Sequence, residues 1–398
     1  MKKALTALIV AFCVLLSLCV GASADESAEV YPYTFAFEEF WYEDAVALED
    51  TLPCKAALLM EADSGRVLFA QNETAKLPIA SVTKIMSTLL VMEAIDSGKI
   101  RLTDMVTVGE EAAHMGGSQV YLEVGEQMPV SDMLKALVVV SANDATVAMA
   151  EHLAGSQSSF VSQMNARAAE LGMSETHFAN CHGLNEEGHY SCARDVAIMT
   201  RELLKHPLIL EYTQIWMDTI RNGAFGLANT NKLIRFYNGA NGMKTGFTDT
   251  AKYCLSGTAK RDGMQLIAVI IGADTSEIRF ASAKKLLDFG FANYSVRSFP
   301  GQTVDPVPVK GGTTRSCEAS YADASFVTEK SNEETTTQVV YNTSLRAPVK
   351  KGDVVGTVRF LLGSEELGTT DLVAQSDVKQ MTFGEILLHL LRTSCFCS

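Results

Sequence analysis

The sequence is short of basic residues and has no cysteine pattern typical of zinc binding. It contains 33 Lys and Arg residues against 47 Asp and Glu residues, so its formal net charge is −14 at pH 7. A protein this acidic has no electrostatic reason to bind nucleic acid, and an anionic ligand needs a local basic pocket. Nine cysteines are present without a Cys-x-x-Cys pair, and no cluster of metal ligands is apparent. We therefore expect no metal and no cofactor, and whether Cys181 and Cys192 form a disulfide stays open.

Apolar runs long enough to suggest a membrane or targeting role are also scarce, and they occur at the two ends of the chain. Near the N-terminus, two lysines precede an apolar run over residues 4–20, and the small residues Ala22 and Ala24 stand where a signal peptidase reads. This pattern predicts a signal peptide over residues 1–24, with a retained membrane anchor as the alternative. We therefore expect an exported protein.

The second apolar segment belongs to a predicted terminal helix and tail over residues 376–398. Thr382 and Glu385 form a capping-box pattern. The apolar residues that follow fall on one helical face: Phe383, Ile386, Leu387, Leu390 and Leu391. The run is shorter than the ~20 residues that span a bilayer. Such a helix either lies in a membrane interface or packs on the protein, so a membrane surface is a candidate partner.

Composition divides the middle of the chain into three parts. Residues 25–50 hold nine acidic residues and no Lys or Arg, which suggests an acidic leader or linker. Residues 51–294 alternate short apolar runs with helical patterns, including a hairpin around Gly65 and a helical stretch over residues 131–154. Residues 295–375 are rich in Pro, Gly, Thr and Val and predict a small β-rich domain.

Ser81 and Lys84 form a Ser-x-x-Lys pattern at the predicted start of a helix. Residues three apart share a helical face, so Lys84 is expected beside the Ser81 hydroxyl. A serine becomes a good nucleophile when a base takes its proton, and a lysine is a base only when neutral. Burial and a second nearby cation both favour the neutral amine. The pattern alone is common, since it recurs at Ser282 and Ser376.

Ser141 and Asn143 form a Ser-x-Asn pattern that follows an apolar stretch. A hydroxyl at Ser141 can pass a proton from Lys84 to a leaving amine, and the Asn143 amide can hold Lys84 and a substrate carbonyl. A helix cap or a turn is the alternative explanation.

Lys244, Thr245 and Gly246 follow a turn-rich stretch and enter a predicted strand. Lys244 provides the second cation and a partner for a substrate carboxylate, to which Thr245 can donate a hydrogen bond. Gly246 allows an extended peptide to approach the strand edge closely. An ordinary hairpin turn is the alternative.

The order of the three patterns resembles that of the serine penicillin-recognising enzymes, which include penicillin-binding proteins and class A β-lactamases. Ser141 lies 60 positions after Ser81, and Lys244 lies 103 positions after Ser141. Two further stretches are similar to the D-alanyl-D-alanine carboxypeptidase branch, the S11 peptidases: His182-Gly183-Leu184 and Asp288-Phe289-Gly290-Phe291. The resemblance covers roughly residues 50–390.

This resemblance implies an α/β (α+β) fold of the β-lactamase and penicillin-binding-protein transpeptidase type. Its antiparallel sheet is flanked by helices, and a small non-catalytic all-β domain follows. The implied activity is removal of the terminal D-alanine from peptidoglycan stem pentapeptides through an acyl-enzyme, with β-lactams as covalent inhibitors. The implied location is the outer face of the cytoplasmic membrane or the cell wall.

The resemblance also assigns residues to this chemistry. Ser81 is the expected acylated nucleophile, Lys84 the base and Ser141 the proton carrier, while the backbone N–H groups of Ser81 and Phe247 form the oxyanion hole. The expected substrate-binding residues are Asn143, Lys244, Thr245, Gly246, Phe247 and Arg279. Phe247 stands where some family members have histidine.

Two other functions fit parts of the sequence. A class A-like β-lactamase needs a Glu-x-x-x-Asn stretch between the second and third patterns, and Glu175, Glu186 and Glu187 each lack an asparagine four residues on. A non-catalytic wall-binding module does not need a nucleophile paired with a base. Whether the enzyme also cleaves crosslinks as an endopeptidase is open.

Overall fold

The computed structural model describes residue 48 and residues 51–388. The predicted signal peptide over residues 1–24 lies outside the described residues, as does the acidic leader over 25–50 apart from residue 48. Residues 389–398 also lie outside them.

The first part of the described chain alternates strands and helices, and the last part consists almost wholly of strands. The strands are β1 (Ala56–Glu61), β2 (Val67–Gln71), β3 (Met105–Thr107), β4 (Gln127–Pro129), β5 (Met217–Ile220), β6 (Phe225–Ala228), β7 (Ala240–Thr248), β8 (Lys252–Arg261), β9 (Met264–Ala273), β10 (Tyr294–Phe299), β11 (Thr303–Pro308), β12 (Ser316–Ser320), β13 (Ala324–Glu329), β14 (Thr335–Tyr341), β15 (Val354–Leu362) and β16 (Glu365–Ala374). The helices are α1 (Lys84–Asp96), α2 (Glu110–Ala113), α3 (Val130–Val139), α4 (Asn143–Ala154), α5 (Gln157–Glu170), α6 (Ala193–Leu203), α7 (Ile209–Thr213), α8 (Leu233–Phe236) and α9 (Ser276–Asn293).

The central sheet has five antiparallel strands in the order β2-β1-β9-β8-β7. The predicted hairpin is confirmed, because β1 pairs with β2 across a turn in which the Gly65 N–H donates to Glu61 O at 2.9 Å. Gly65 has a φ of +74°, which glycine adopts without steric cost. The strand β7, which contains the third sequence pattern, lies at one end of the sheet.

Helices cover both faces of this sheet, as the alternation of β1 side chains shows. Ala56, Leu58 and Met60 belong to a large core that also contains residues of α1, α3, α4, α5 and α6. Ala57 and Leu59 belong to a second core beneath α9. A strand buried on both faces is apolar at nearly every position, which explains the continuous apolar run of β1. The predicted antiparallel sheet flanked by helices is confirmed.

The Ser-x-x-Lys pattern of Ser81 and Lys84 adopts a tighter turn than the predicted helix start. Ser81 lies in a 3-10 turn over Ala80–Thr83, and the α-helix itself begins at Lys84. In a 3-10 turn, side chains three positions apart eclipse each other. The turn therefore brings the side chains of Ser81 and Lys84 together.

The helical stretch predicted over residues 131–154 consists of two helices rather than one. Helix α3 ends at Val139 and α4 begins at Asn143, so a short break separates them. Ser141 lies in this break with a φ of +65°. That left-handed conformation costs a non-glycine residue about 1 kcal/mol. Apolar residues continue to Val140, beyond the end of α3, which is why periodicity missed the break.

The predicted C-terminal all-β domain is confirmed, although its predicted limits of 295–375 stay a prediction. One sheet pairs β10 with β13, and the other has the antiparallel order β11-β12-β16-β15-β14. Valine and aromatic side chains form the core of this domain, with the Phe299 and Phe360 ring centroids 4.7 Å apart. The Arg66 guanidinium from the β1–β2 turn donates to Val327 O at 2.6 Å and so joins the two parts.

The predicted terminal helix begins as its capping box indicates. The Thr382 N–H and hydroxyl donate to Glu385 Oε2 at 2.7 and 2.8 Å, and the helix covers residues 383–388. Phe383 is 81% exposed, and Ile386 and Leu387 are also exposed. Leu390 and Leu391 lie outside the described residues. Within residues 51–388, no helix is long and apolar enough to cross a membrane.

Candidate active site

The structure places Ser81, Lys84 and Asn143 in one hydrogen-bonded group. Lys84 Nζ lies 3.1 Å from Ser81 Oγ, 2.6 Å from Asn143 Oδ1 and 2.7 Å from the backbone oxygen of His182. A neutral amine has two N–H groups and one lone pair. Because the two carbonyl oxygens can only accept, they take the two N–H groups. The lone pair is then left for the Ser81 hydroxyl, which is the arrangement a base requires.

The electrostatics of this interior favour the neutral form of Lys84. Burial lowers the pKa of Lys84 from 10.5 to about 7, although Cys181 and Asp144 nearby raise it in part. Lys84 and Lys244 line one small cavity. Burial and the positive charges of Lys84 and Arg279 lower the pKa of Lys244 well below 10.5. Two buried amines so close together disfavour each other's charged forms. A carboxylate arriving at Lys244 would stabilise that ammonium and so help to keep Lys84 neutral.

Ser141 presents a buried hydroxyl that lacks a partner within the described part of the chain. Its side chain is 5% exposed, and Oγ makes no hydrogen bond there. An unsatisfied buried hydroxyl costs about 1–3 kcal/mol. Asn143, two residues on, contacts Lys84, whereas the Ser141 hydroxyl makes no hydrogen bond to Ser81 or Lys84 among the described residues.

Strand β7 brings the third pattern against the turn that contains Ser81. A Cβ atom on Gly246 would lie 2.8 Å from Ile79 O and 2.9 Å from Ser81 N. These distances leave no room for a side chain, so glycine at position 246 allows the strand backbone to meet the turn. The backbone N–H groups assigned to the oxyanion hole, those of Ser81 and Phe247, are therefore close neighbours.

Arg279 and Phe247 complete the set predicted from the sequence. The Arg279 guanidinium is buried in the first turn of α9, and Nη1 contacts Gly246 O at 3.4 Å and Cys254 O at 3.3 Å. Burial lowers the pKa of Arg279 to about 10, so it stays cationic at neutral pH. The Phe247 ring is half-exposed and packs against Tyr253 with the ring centroids 4.4 Å apart.

Sequence reasoning missed Thr230, which supports the third pattern. Its Oγ1 lies 2.7 Å from Thr245 Oγ1, and its N–H donates to Val139 O at 3.1 Å. These contacts join the end of α3 to strand β7. The polar run Asn229-Thr230-Asn231, placed shortly before Lys244, is the signal that could have identified this residue.

The loop that presents the His182 carbonyl is held by a second group of polar residues that the sequence did not reveal. Asn180 Oδ1 accepts from Gly183 N at 2.7 Å. His189 Nδ1 accepts from Ala179 N at 3.1 Å, so Nε2 is the atom that donates to Thr83 Oγ1 at 2.7 Å. Burial lowers the pKa of His189 to about 4, which keeps this imidazole neutral. In the same region, Cys181 and Cys192 are free thiols rather than a disulfide.

Comparison with known families gives two matches that together cover most of the described chain. A family model described as D-alanyl-D-alanine carboxypeptidase matches residues 44–275. A second, described as the C-terminal domain of penicillin-binding protein 5, matches residues 299–380.

Named relatives extend along nearly the whole length of the chain. The D-alanyl-D-alanine carboxypeptidase DacF of Bacillus subtilis is 42% identical over 359 residues, which is 88% of this chain and 92% of that protein. The D-alanyl-D-alanine carboxypeptidase DacA of Escherichia coli is 33% identical over 361 residues, which is 85% of this chain and 87% of that protein.

Solved structures agree with these relatives. Penicillin-binding protein 5 of Haemophilus influenzae superposes with a TM-score of 0.75 at 31% identity, covering 84% of this chain and all of that one. Penicillin-binding protein D2 of Listeria monocytogenes, in its ampicillin-bound form, superposes with a TM-score of 0.57 at 33% identity and covers 61% of this chain and all of that one.

Proposed function

Because the chain belongs to the S11 family of D-alanyl-D-alanine carboxypeptidases, we propose that Ser81 is the nucleophile with which it removes the terminal D-alanine of peptidoglycan stem peptides. The protein is a serine-type D-Ala-D-Ala carboxypeptidase that acts on the cell wall. The observation that supports this choice of serine is its 3.1 Å contact with Lys84 Nζ, in an interior where the Lys84 pKa lies near 7.

In the proposed acylation step, Lys84 Nζ takes the proton of the Ser81 hydroxyl while Ser81 Oγ bonds to the carbonyl carbon of the penultimate D-alanine. The negative charge on the carbonyl oxygen is stabilised by the N–H groups of Ser81 and Phe247. The proton passes from Lys84 through the Ser141 hydroxyl to the nitrogen of the terminal D-alanine. The C–N bond then breaks, which leaves an ester on Ser81 and releases D-alanine.

The substrate carboxylate is assigned to the third pattern. Lys244 and Thr245 are proposed to bind it, with Arg279 adding positive charge from behind the strand. The terminal carboxylate is present only at a chain end, so a cationic pocket here favours a carboxypeptidase. Water then hydrolyses the Ser81 ester and regenerates the enzyme.

A β-lactam is proposed to acylate the same serine. The Listeria penicillin-binding protein named above was solved with ampicillin, and another structure of it with cefotaxime. A β-lactam carbonyl meets the same nucleophile and the same two N–H groups as the peptide carbonyl does. In the lactam ring, however, the leaving amine stays attached to the acyl group.

The class A-like β-lactamase and the wall-binding module receive no support from the described contacts. The Glu175 carboxylate pairs with Lys76 at 3.2 Å, and the Glu186 carboxylate accepts from Asn180 Nδ2 at 2.8 Å. Both carboxylates thus have partners among the described residues.

Export and membrane association are proposed from the two ends of the chain. The signal pattern over residues 1–24 supports export, and the exposed apolar side chains of the terminal helix support attachment to a membrane surface. N-terminal sequencing of the protein recovered from expressing cells tests the first part, with a start at Asp25 expected.

Intact-mass measurement after penicillin treatment tests the assignment of Ser81. The unaltered protein is expected to gain one penicillin mass and Ser81→Ala none. Ser376→Ala is the matched control, because Ser376 begins another Ser-x-x-Lys sequence and should still form the adduct. The unaltered protein and Ser376→Ala should release free D-alanine from a synthetic stem pentapeptide, and Ser81→Ala should not.

Two outcomes contradict the proposal. An adduct on Ser81→Ala would show that another residue is the nucleophile. Rapid turnover of penicillin without release of D-alanine from the pentapeptide would indicate a β-lactamase.

A further inference from the structure

A loop over residues 116–126, here called the strap, fixes the orientation of Asn143. The Asn143 side-chain Nδ2 donates to Gly116 O at 2.7 Å, and its backbone N–H donates to Ser118 O at 2.7 Å. With Nδ2 bound to the strap, the amide oxygen of Asn143 is the atom that faces Lys84 Nζ, 2.6 Å away. The position of the strap therefore determines one of the contacts of Lys84.

The strap lies directly on the start of helix α4. Asp144 Oδ2 accepts from the Val120 N–H at 3.0 Å and from the Leu122 N–H at 3.1 Å. A Cβ atom on Gly117 would lie 2.8 Å from Asn143 Nδ2. The contact is so close that a shift of the strap toward α4 must also move the Asn143 amide.

Arg221 holds the outer side of the strap. Its Nη1 donates to Val120 O at 2.7 Å and its Nη2 to Tyr121 O at 3.0 Å. Nε and Nη2 also donate to the two carboxylate oxygens of Glu126 at 2.8 and 3.0 Å. The hydrogen bond from Arg221 lowers the pKa of Glu126 below its ordinary value, so the pair is charged at neutral pH. The planar guanidinium can hold these three groups at once, which a lysine cannot.

Arg221 belongs to the turn of a hairpin whose other end reaches the substrate-carboxylate site. Strand β6 of this hairpin leads into Thr230, which contacts Thr245 at 2.7 Å. The guanidinium therefore joins the wall of the cleft that contains Asn143 to the wall that contains Thr245.

We propose that Arg221 is a positioning residue for the acylation reaction: by clamping the strap to the β5–β6 hairpin, it holds the Asn143 amide oxygen on Lys84. Arg221 contacts neither Ser81 nor Lys84 in the structure, so its effect passes through the strap and Asn143. This inference rests on the proposed function of Ser81 and Lys84.

The test measures the second-order rate constant for acylation by a penicillin, with intact-mass measurement as the readout of the acylated fraction. Arg221→Ala is expected to lower this rate constant about tenfold, which is less than the ~100-fold loss that a misplacement of about 1 Å can cause, because the strap keeps its hydrogen bonds to Asn143 and Asp144. Because the low pKa of Lys84 comes from burial, a loosened strap that admits water should also move the acid limb of the pH profile to higher pH.

Lys135→Ala is the matched control. Lys135 of α3 pairs with Asp218 of the same hairpin at 2.8 Å, but the pair does not involve the strap. This variant is expected to acylate within twofold of the unaltered protein. In a protein that already carries Asn143→Ala, acylation is slower and is followed over longer times. There Arg221→Ala should change the rate by less than twofold, because the effects of substitutions at residues that act through one another are not additive.

If Arg221→Ala does not fold, Glu126→Gln takes its place, because it weakens the clamp from the strap side with little change in volume. A drop in rate for Glu126→Gln, with none for Lys135→Ala, supports the proposal. The proposal is overturned by an unchanged rate, by an equal loss in Lys135→Ala, or by full additivity with Asn143→Ala. If the variant forms a normal adduct at an unchanged rate, only this inference is contradicted. If the unaltered protein forms no adduct, the proposed function is contradicted.

Discussion

At the scale of single residues, the proposed role of Lys84 as a base depends on how its surroundings lower the pKa of an amine that water keeps protonated. Among the described residues its amine makes three polar contacts, none of them with a carboxylate, and the nearby Asp144 offsets only part of the cost of burying a positive charge. A second amine, Lys244, lines the same cavity. The consequence is an amine that is neutral in part near pH 7.

Acylation by penicillin is therefore expected to become faster as the pH rises through about 7. Below this pH Lys84 already carries a proton and cannot accept the one on Ser81; above it the amine is free to do so. The measurement is the second-order acylation rate constant from pH 5 to pH 9. A rate constant that does not change between pH 6 and pH 8 would rule out Lys84 as the group that controls acylation.

At the scale of elements, the site depends on how closely strand β7 approaches the 3-10 turn that contains Ser81. The approach is set by backbone atoms, since the nearest neighbours of a Cβ at Gly246 would be Ile79 O and Ser81 N. Backbone atoms cannot rotate away as the end of a side chain can.

Gly246→Ala should accordingly slow penicillin acylation about 100-fold, because the strand must move away from the nucleophile. Gly257→Ala on the neighbouring strand is the matched control. Its new methyl group would meet the flexible end of Leu233, 2.8 Å away, and that side chain can shift. The acylation rates of both variants, with their melting temperatures, test this difference. Equal losses of activity would mean that the approach at Gly246 is not what matters.

The sequence could predict the side chains of the site, but not the backbone features that position them. The three patterns predicted Ser81, Lys84 and Lys244, because their chemistry resides in side chains of recognisable type and order. The carbonyl of His182, which contacts Lys84, could not be predicted, since every residue has a backbone oxygen. The break before Asn143 was missed because the apolar residues of α3 continue to Val140, so composition gave no sign that the helix ends.

At the scale of the whole molecule, the acidic composition and the terminal helix have opposite effects at a membrane. A net charge of −14 is repelled by anionic lipid headgroups. The exposed side chains of Phe383, Ile386 and Leu387 gain free energy when they leave water. Attachment should therefore depend on apolar contact rather than on charge.

The double variant Phe383→Asp and Leu387→Asp should bind vesicles of phosphatidylcholine about tenfold more weakly than the unaltered mature protein. Sedimentation of the protein with the vesicles measures this, and added salt should have little effect on it. Val354→Asp introduces a charge at another exposed apolar position and should bind as before. Equal binding of all three proteins would exclude the terminal helix as the attachment site.

At the left-handed backbone of Ser141, greater heat resistance and the proposed catalytic role favour different residues. Glycine would adopt a φ of +65° without steric cost, and it would remove the unpaired buried hydroxyl as well. Screening variants for thermal tolerance alone would thus favour Ser141→Gly, which discards the proposed proton carrier. Work to raise the thermal stability of the enzyme should therefore keep Ser141 unchanged and substitute other positions in the chain.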